Sequence, residues 1–189
     1  MTQWPHAMID VECAGTKSTA ALMSIGCAMF DLDTFTIGPT FHKPIHVVTS
    51  VKLGMQIEPE AFLFWLRQGQ AAREAVMFNL LPIDMVLREF AEFLGEHGRP
   101  EGFRTWSNSA RFDLGILETA YTLLKYPQVP WKWGLETCFR TVQNLNAHHT
   151  PYDPSLKPAT AHNAIDDAIF QINHLFAIKR YNDGHPRAV

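Results

Sequence analysis

The sequence predicts an α/β fold, a mixed β-sheet flanked by α-helices, from three observations. The N-terminal part holds three apolar, strand-like runs separated by turn signals, the pattern of an antiparallel meander. Further on, a short strand-like run is followed by helix-periodic segments, an alternation that lays helices over a sheet. The chain closes on a long segment whose apolar residues recur at helical spacing.

In order along the chain, Ala7–Glu12 (AMIDVE) reads as a strand and Ala20–Phe30 as a longer, largely buried one. After an Asp-Leu-Asp-Thr turn, Phe35–His46 reads as a third strand with Gly38-Pro39 inside it. In EPEAFLFWLRQ, Pro59 suits the first turn of a helix, and Glu58 and Glu60 complement its positive end. Pro82 opens a second helix, with Ile83, Val86, Leu87, Phe90, Phe93 and Leu94 along one face, ending at Gly95. Past the polar linker GEHGRPEG, Phe103–Trp106 reads as a strand and Phe112–Lys125 as a helix. Residues 127–134 form a Pro- and Trp-rich connection, and Leu135–Leu145 reads as a modest helix. Residues 146–161 are loop-like, with Pro151, Pro154 and Pro158, and the final helix runs from about Asn163 to Tyr181. No internal repeat or low-complexity tract interrupts this pattern, so residues 1–182 are expected to form one domain, with residues 183–189 a disordered tail.

A chain of 189 residues, 47% hydrophobic and 12% aromatic, is long enough for one well-cored domain and short for two. No window reaches the apolar length of a membrane span, and the N-terminus lacks a basic stretch followed by an apolar one. A soluble, cytoplasmic protein without membrane partners is the expectation. Cys13, Cys27 and Cys138 are far apart and form no C-x-x-C pair, which speaks against a disulfide framework or a zinc ribbon. With 16 basic and 19 acidic residues, the net charge of −3 does not advertise a nucleic-acid binder.

The chemistry-bearing residues lie in three places. Asp10 and Glu12 sit two apart in the first predicted strand and project from one face. A D-x-E pair arises about once by chance in a chain of this size, but Met8, Ile9 and Val11 make this an interior strand, where unpaired carboxylates are costly. Asp113 closes the segment WSNSARFD, and HNAIDDA supplies His162, Asp166 and Asp167 at the start of the last helix. The H-x-x-x-x-D spacing recurs at His148…Asp153, where Pro151 and Pro154 prevent a helix from following, so that pair reads as surface loop. Helical periodicity does not choose between Asp166 and Asp167. Asp167 lies nearly opposite the stripe of Ile165, Ala168, Ile169, Ile172, Leu175 and Phe176, while Phe170, Ala177 and Ile178 give its own side apolar character. The plain alternative for both aspartates is charge stabilisation of a helix N-terminus.

Taken in order, D-x-E, a helix-opening aspartate about a hundred residues later, and H-x-x-x-x-D at the last helix resemble the DEDDh branch of the DnaQ-like 3′–5′ exonucleases. Trp106, Asn108, Phe112 and Asp113 match the W-G-N-G-x-x-F-D segment of a bacterial and phage subgroup that includes ribonuclease AS. The MSIG stretch, VKLGMQIEP and the FWL helix are similar to the same subgroup. The resemblance implies a ribonuclease-H-like fold of about five strands, and two Mg²⁺ or Mn²⁺ ions held by Asp10, Glu12, Asp113 and Asp167. It implies His162 as general base, with catalysis resting on these five residues. Hard carboxylates favour these ions over zinc, and histidine as a residue type titrates near neutral pH. With four acids on metal, the charge of −3 becomes +1, so a mildly acidic nuclease is physically acceptable.

The implied substrate is the 3′ end of single-stranded DNA or RNA, with an exoribonuclease preferring RNA tails, or an inactive nucleic-acid-binding module of the same fold, as alternatives. Related enzymes are often homodimers, so a homodimer is part of the expectation. Cys13, Ala14, Trp65, Trp106 and Asn108 are candidates for substrate contact, while Phe64 and Phe112 fit core packing better. Arg67, Arg73 and Arg111 could hold phosphates, although scattered arginines are usually solvated. His42 and His46, four apart on a predicted strand, lack a further ligand in sequence and read as surface residues. The sequence departs from the subgroup at Cys13, where threonine is usual, and at Ser107 and Ser109, where glycines are usual. A left-handed backbone at either serine would be strained.

Overall fold

The computed structural model describes residues 3–147 and 158–184. The pair His148…Asp153, Pro151, Pro154 and tail residues 185–189 lie outside the described residues. Five strands form one sheet in the order β3-β2-β1-β4-β5: β1 His6–Cys13, β2 Leu22–Asp31, β3 Thr36–Pro44, β4 Arg104–Ser107 and β5 Glu136–Cys138. Strands β1 to β3 are the antiparallel meander, while β4 runs parallel to β1 and β5 parallel to β4. The fold is thus the mixed sheet that the alternation predicts.

Strand β1 is central and covered on both faces, and its side chains divide accordingly. Ala7, Ile9 and Val11 join one core with Ile25, Cys27 and Met29 of β2 and the buried faces of helices α4 (Ile83–His97) and α5 (Asp113–Leu123). Met8 joins a second core with Ala28, Phe30, Trp106 and the inner face of α7 (Ala164–Asn182). Strand alternation therefore puts Asp10 and Glu12 on the α7 side of the sheet. Helix α7 buries residues on two sides, including Ala168, Ile172 and Leu175 on one and Gln171, His174 and Ile178 on the other. That two-sided burial removes the periodicity difficulty at Asp167.

Three elements differ from the sequence expectation. Val47–Leu53 is helix α1, although its three valines and one threonine favour a strand. The Ser50 hydroxyl donates to the Leu22 carbonyl at 2.8 Å, and Gly54 ends the helix at φ +114, a conformation glycine adopts without strain. Gln70–Ala75 is a short helix, α3, following α2 (Pro59–Leu66). Leu135–Leu145 is helical only as α6, Phe139–Leu145; before it lie a 3-10 turn, Trp133–Leu135, and strand β5. Three residues carry too little periodicity to announce a strand, and pairing with Thr105, Trp106 and Ser107 decides the matter. Strand β3 also stops before His46, which is exposed and precedes α1, so His42 and His46 do not share a strand face.

Helix α7 comes very close to the sheet where it begins. Asp10, Gly26 and His42 pair across β1, β2 and β3, and the first turn of α7 rests on the glycine in the middle. A Cβ on Gly26 would lie 2.2 Å from the Ala164 carbonyl carbon and 2.4 Å from the Ile165 nitrogen, both backbone atoms that cannot step aside alone. Gly26→Ala should therefore destabilise the protein by about 1–3 kcal/mol, through overpacking. Gly95→Ala, with nothing within 4 Å of the added carbon in helix α4, should stabilise it by about 0.5–1 kcal/mol. Thermal or urea unfolding of the two variants measures both, and equal midpoints would contradict the packing at Gly26.

Candidate active site

At the C-terminal ends of β1 and β4 a cleft of about 450 Å³ is lined by Asp10, Glu12, Asn108, Phe112, Asp113, His162 and Asp167, among others. It collects all five residues of the ordered sequence set. Glu12 and Asp113 are 8% and 3% exposed, degrees of burial rare for carboxylates without partners. The β1–β2 register shifts between Glu12 and Cys13, the irregularity at which a strand re-aims a side chain.

Each acid is positioned by a different element. Asp113, the first residue of α5, accepts the Val11 N–H at 3.4 Å and the Ser109 N–H at 3.3 Å, which ties the helix start to β1 and to the preceding turn. Asp10 accepts from the Gln171 side-chain amide at 2.9 Å. Asp167 accepts the His162 N–H at 2.9 Å, while the Asn163 side chain accepts from Ile165 and caps α7. This local loop holds His162 at φ +61, an uncommon conformation for a non-glycine residue. The His162 ring meets the edge of Phe64 at 5.0 Å between centroids. Ligand atoms of Glu12, His162 and Asp167 all lie within 4.8 Å of one another.

The electrostatics follow from crowding. Burial, and then the charges of Asp113, Glu12 and Asp167, push the Asp10 carboxyl well above the usual range, although Asp10 keeps some solvent exposure. Burial together with Asp167 and Asp113 raises Glu12 to about 8. Asp113 rises to about 6 through burial, held back by the N–H groups of Ser109 and Val11. Asp167 is raised by burial and partly relieved by the His162 N–H. The Ser107 hydroxyl lies near Asp113 without meeting it in hydrogen-bond geometry. Hard oxygen donors crowded at raised pKa are the chemistry of a divalent-cation site that is protonated when no cation neutralises it.

Of the other sequence candidates, Asn108 and Phe112 line the cleft. Trp106 does not: it is 7% exposed in the second core, and its indole N–H donates to His6 Nδ1 at 3.2 Å. Trp65, 8% exposed, donates its indole N–H to the Cys13 carbonyl at 3.2 Å and so fastens α2 to the end of β1. The Cys13 thiol donates to the Gly15 carbonyl, and Ala14 uses both its N–H and C=O inside the protein. Phe64, read as core, is 42% exposed and packs on His162 instead.

Asp166 stays off the cleft, its charge bearing on His42. Arg67, Arg73 and Arg111 do not line it, and Arg73 donates to the Leu66 carbonyl. Neither Ser107 nor Ser109 has a positive φ, so the strain expected of non-glycine residues there is absent. Four residues that the sequence reading passed over, Phe139, Arg140, Gln143 and Gln171, also line the cleft. Gln171 lies four positions after Asp167 on the same helix face, a spacing that could have flagged a polar residue in an apolar helix. Arg140 carried no such signal, because its placement depends on β5.

The family described as the 3′–5′ exoribonuclease Rv2179c-like domain matches residues 5–179. No curated protein matches the chain. Among solved structures, the zinc-bound E. coli ExoI–ssDNA complex is similar at TM-score 0.70 and 15% identity, over 97% of this chain and 43% of that one. The nuclease domain of 3′hExo, a DEDDh family member bound to rAMP, is similar at 0.61 and 12% identity, over 95% of this chain and 92% of that one. Cell-death related nuclease 4 is similar at 0.62 and 14% identity, over 97% and 67%. At such identities the likeness is one of fold, and the chain spans less than half the length of ExoI.

The raised acids make stability depend on pH in a defined direction. Glu12 moves from an ordinary 4.5 to about 8, so across that window the folded chain holds more protons than the unfolded one. Stability contributed by the protonated acid is complete below about 4.5 and is lost as pH rises through 8. In chelator, the melting temperature should fall by about 2–4 °C for each kcal/mol lost between pH 5 and 8. Glu12→Gln should flatten that slope. A slope unchanged in Glu12→Gln would mean that burial and the neighbouring acids do not raise the Glu12 carboxyl in the fold.

Proposed function

The chain belongs to the 3′–5′ exoribonuclease Rv2179c-like domain family and is a DnaQ-like 3′–5′ exonuclease; from that premise we propose how its cleft works. It hydrolyses the terminal phosphodiester at the 3′ end of a single-stranded nucleic acid. Asp10, Glu12, Asp113 and Asp167 hold two Mg²⁺ or Mn²⁺ ions, and His162 is the general base. The observation that carries this reading is the convergence of four carboxylates and one histidine, from β1, α5 and the start of α7, on one cleft.

Bound ions would supply activation of the attacking water and neutralisation of charge on the leaving 3′ oxygen. The protein's part is placement and proton transfer. Val11 and Ser109 fix the Asp113 carboxylate from two sides, and Gln171 orients Asp10. The raised acids release protons as cations bind, so cation affinity rises with pH. His162, braced by Phe64 and by its own N–H on Asp167, takes the water's proton. Asn108 and Phe112 line the cleft, and in this reading they meet sugar and base of the terminal nucleotide. Cys13, Ala14 and Trp65 support that region from behind: the Trp65 bond to the Cys13 carbonyl sets the end of β1. Among the described residues no helix is long and apolar enough to cross a membrane.

Matched single-stranded DNA and RNA, labelled at the 5′ end and incubated with Mg²⁺ or Mn²⁺, should yield a 3′-shortening ladder, and chelator should abolish it. Asp10→Asn and His162→Ala should each lower kcat by about 10²-fold or more, a general base contributing about 10²–10⁴. Asp167→Asn should do the same while Asp166→Asn keeps most of the activity. A reversal of the two aspartates would overturn the ligand assignment. A wild-type chain that binds strand and cations but shortens nothing would leave a binding module of the same fold.

A further inference from the structure

Phosphodiester strands are polyanions, yet the cleft is built from acids, and cations at the scissile bond neutralise only the phosphate being cut. Something must hold the rest of the strand. Among the described residues that line the cleft, Arg140 is the one Lys or Arg side chain. It lies on α6, and the lining on that side, Asn108, Phe139, Arg140 and Gln143, contains hydrogen-bond donors and no carboxylate. Arg140 and Gln143 are three apart on the helix and so point the same way.

The backbone places this arginine firmly. Its N–H donates to the Asn108 carbonyl at 3.1 Å, and Asn108 directly precedes Ser109, whose N–H holds Asp113. The α6 wall is thereby locked to the turn that carries a catalytic acid. Arg140 is exposed, and among the described residues no carboxylate forms an ion pair with it, despite four in the same cleft. Its guanidinium is a free, charged fork of donors at the edge of an acid site, the arrangement that recognises phosphate.

We propose that Arg140, assisted by Gln143, binds the phosphodiester immediately 5′ of the bond being cut. The strand is then gripped at two successive phosphates, one over the acids and one on the α6 wall. This rests on the exonuclease reading above and adds to it a positioning residue outside the acid set.

Kinetics and binding separate the two. Oligonucleotides carrying one neutral methylphosphonate at that position are compared with unmodified strands, using wild type, Arg140→Ala, Arg140→Lys and, as a distant cationic control, Arg88→Ala. Arg140→Ala should raise KM about tenfold on the unmodified strand with kcat changed less than twofold, the mark of uniform binding lost. The methylphosphonate should cost wild type a similar factor and cost Arg140→Ala nothing further. Arg140→Lys should recover part of the affinity, because charge survives without the fork. Anisotropy of a 5′-fluorescein strand should show the dependence of log affinity on log salt reduced by about 0.7 in Arg140→Ala. An unchanged KM in Arg140→Ala, or a methylphosphonate penalty as large in the variant as in wild type, overturns the proposal. If wild type binds in this Arg140-dependent way but does not cut, the exonuclease reading fails and, with it, the placement 5′ of a cut bond, while the phosphate contact at Arg140 stands; if it binds no strand, the contact itself fails.

Discussion

Four carboxylates share one cleft, and keeping them together is the constraint that the surrounding structure serves. Burial is the main reason that Glu12 is pushed to about 8 and Asp113 to about 6, and at Glu12 the charges of Asp167 and Asp113 add to it. Such a cluster is tolerable in a fold only if its members are held from outside. Here the holding comes from backbone N–H groups of Val11, Ser109 and His162 and from the Gln171 amide, all donors directed at carboxylate oxygens. Among the described residues, no lysine or arginine forms an ion pair with any of these acids. The charge is left for cations and substrate to meet.

That arrangement needs precise relative placement of elements far apart in sequence, and two packed cores provide it. One joins the sheet to α4 and α5 and fixes the turn before Asp113; the other joins the sheet to α7 and fixes the loop of His162. At Gly26, α7 begins directly on β2 with no room for a side chain beneath it. Seen this way, the MSIG stretch belongs to the site although it contributes no polar group to it.

The positions at which the chain departs from its relatives' pattern are explained by the same geometry. Ser107 is an ordinary residue of β4 and Ser109 an ordinary turn residue, neither with a positive φ, so glycine is not required at either. Cys13 contributes mainly through its backbone carbonyl, which Trp65 holds, and burial pushes its thiol up to about 12, leaving it uncharged.

The sequence by itself determined what local pattern and residue order can express. Strand alternation set Asp10 and Glu12 on one face, helix caps and apolar spacing marked α4, α5 and α7, and the order of acids and histidine pointed to the family. It could not express contacts whose partners are distant in the chain. Strand β5 is three residues that exist as a strand only because β4 pairs with them, and Arg140 reaches the cleft only because β5 leads into α6. Trp106 and Phe64 exchanged their expected places because burial is decided by which core volume is already filled, a property of the packed whole. The choice of Asp167 over Asp166 for the cleft belongs here too: periodicity shows apolar residues on both sides of α7 and does not choose, whereas the packed structure turns Asp167 toward the acids of β1 and α5.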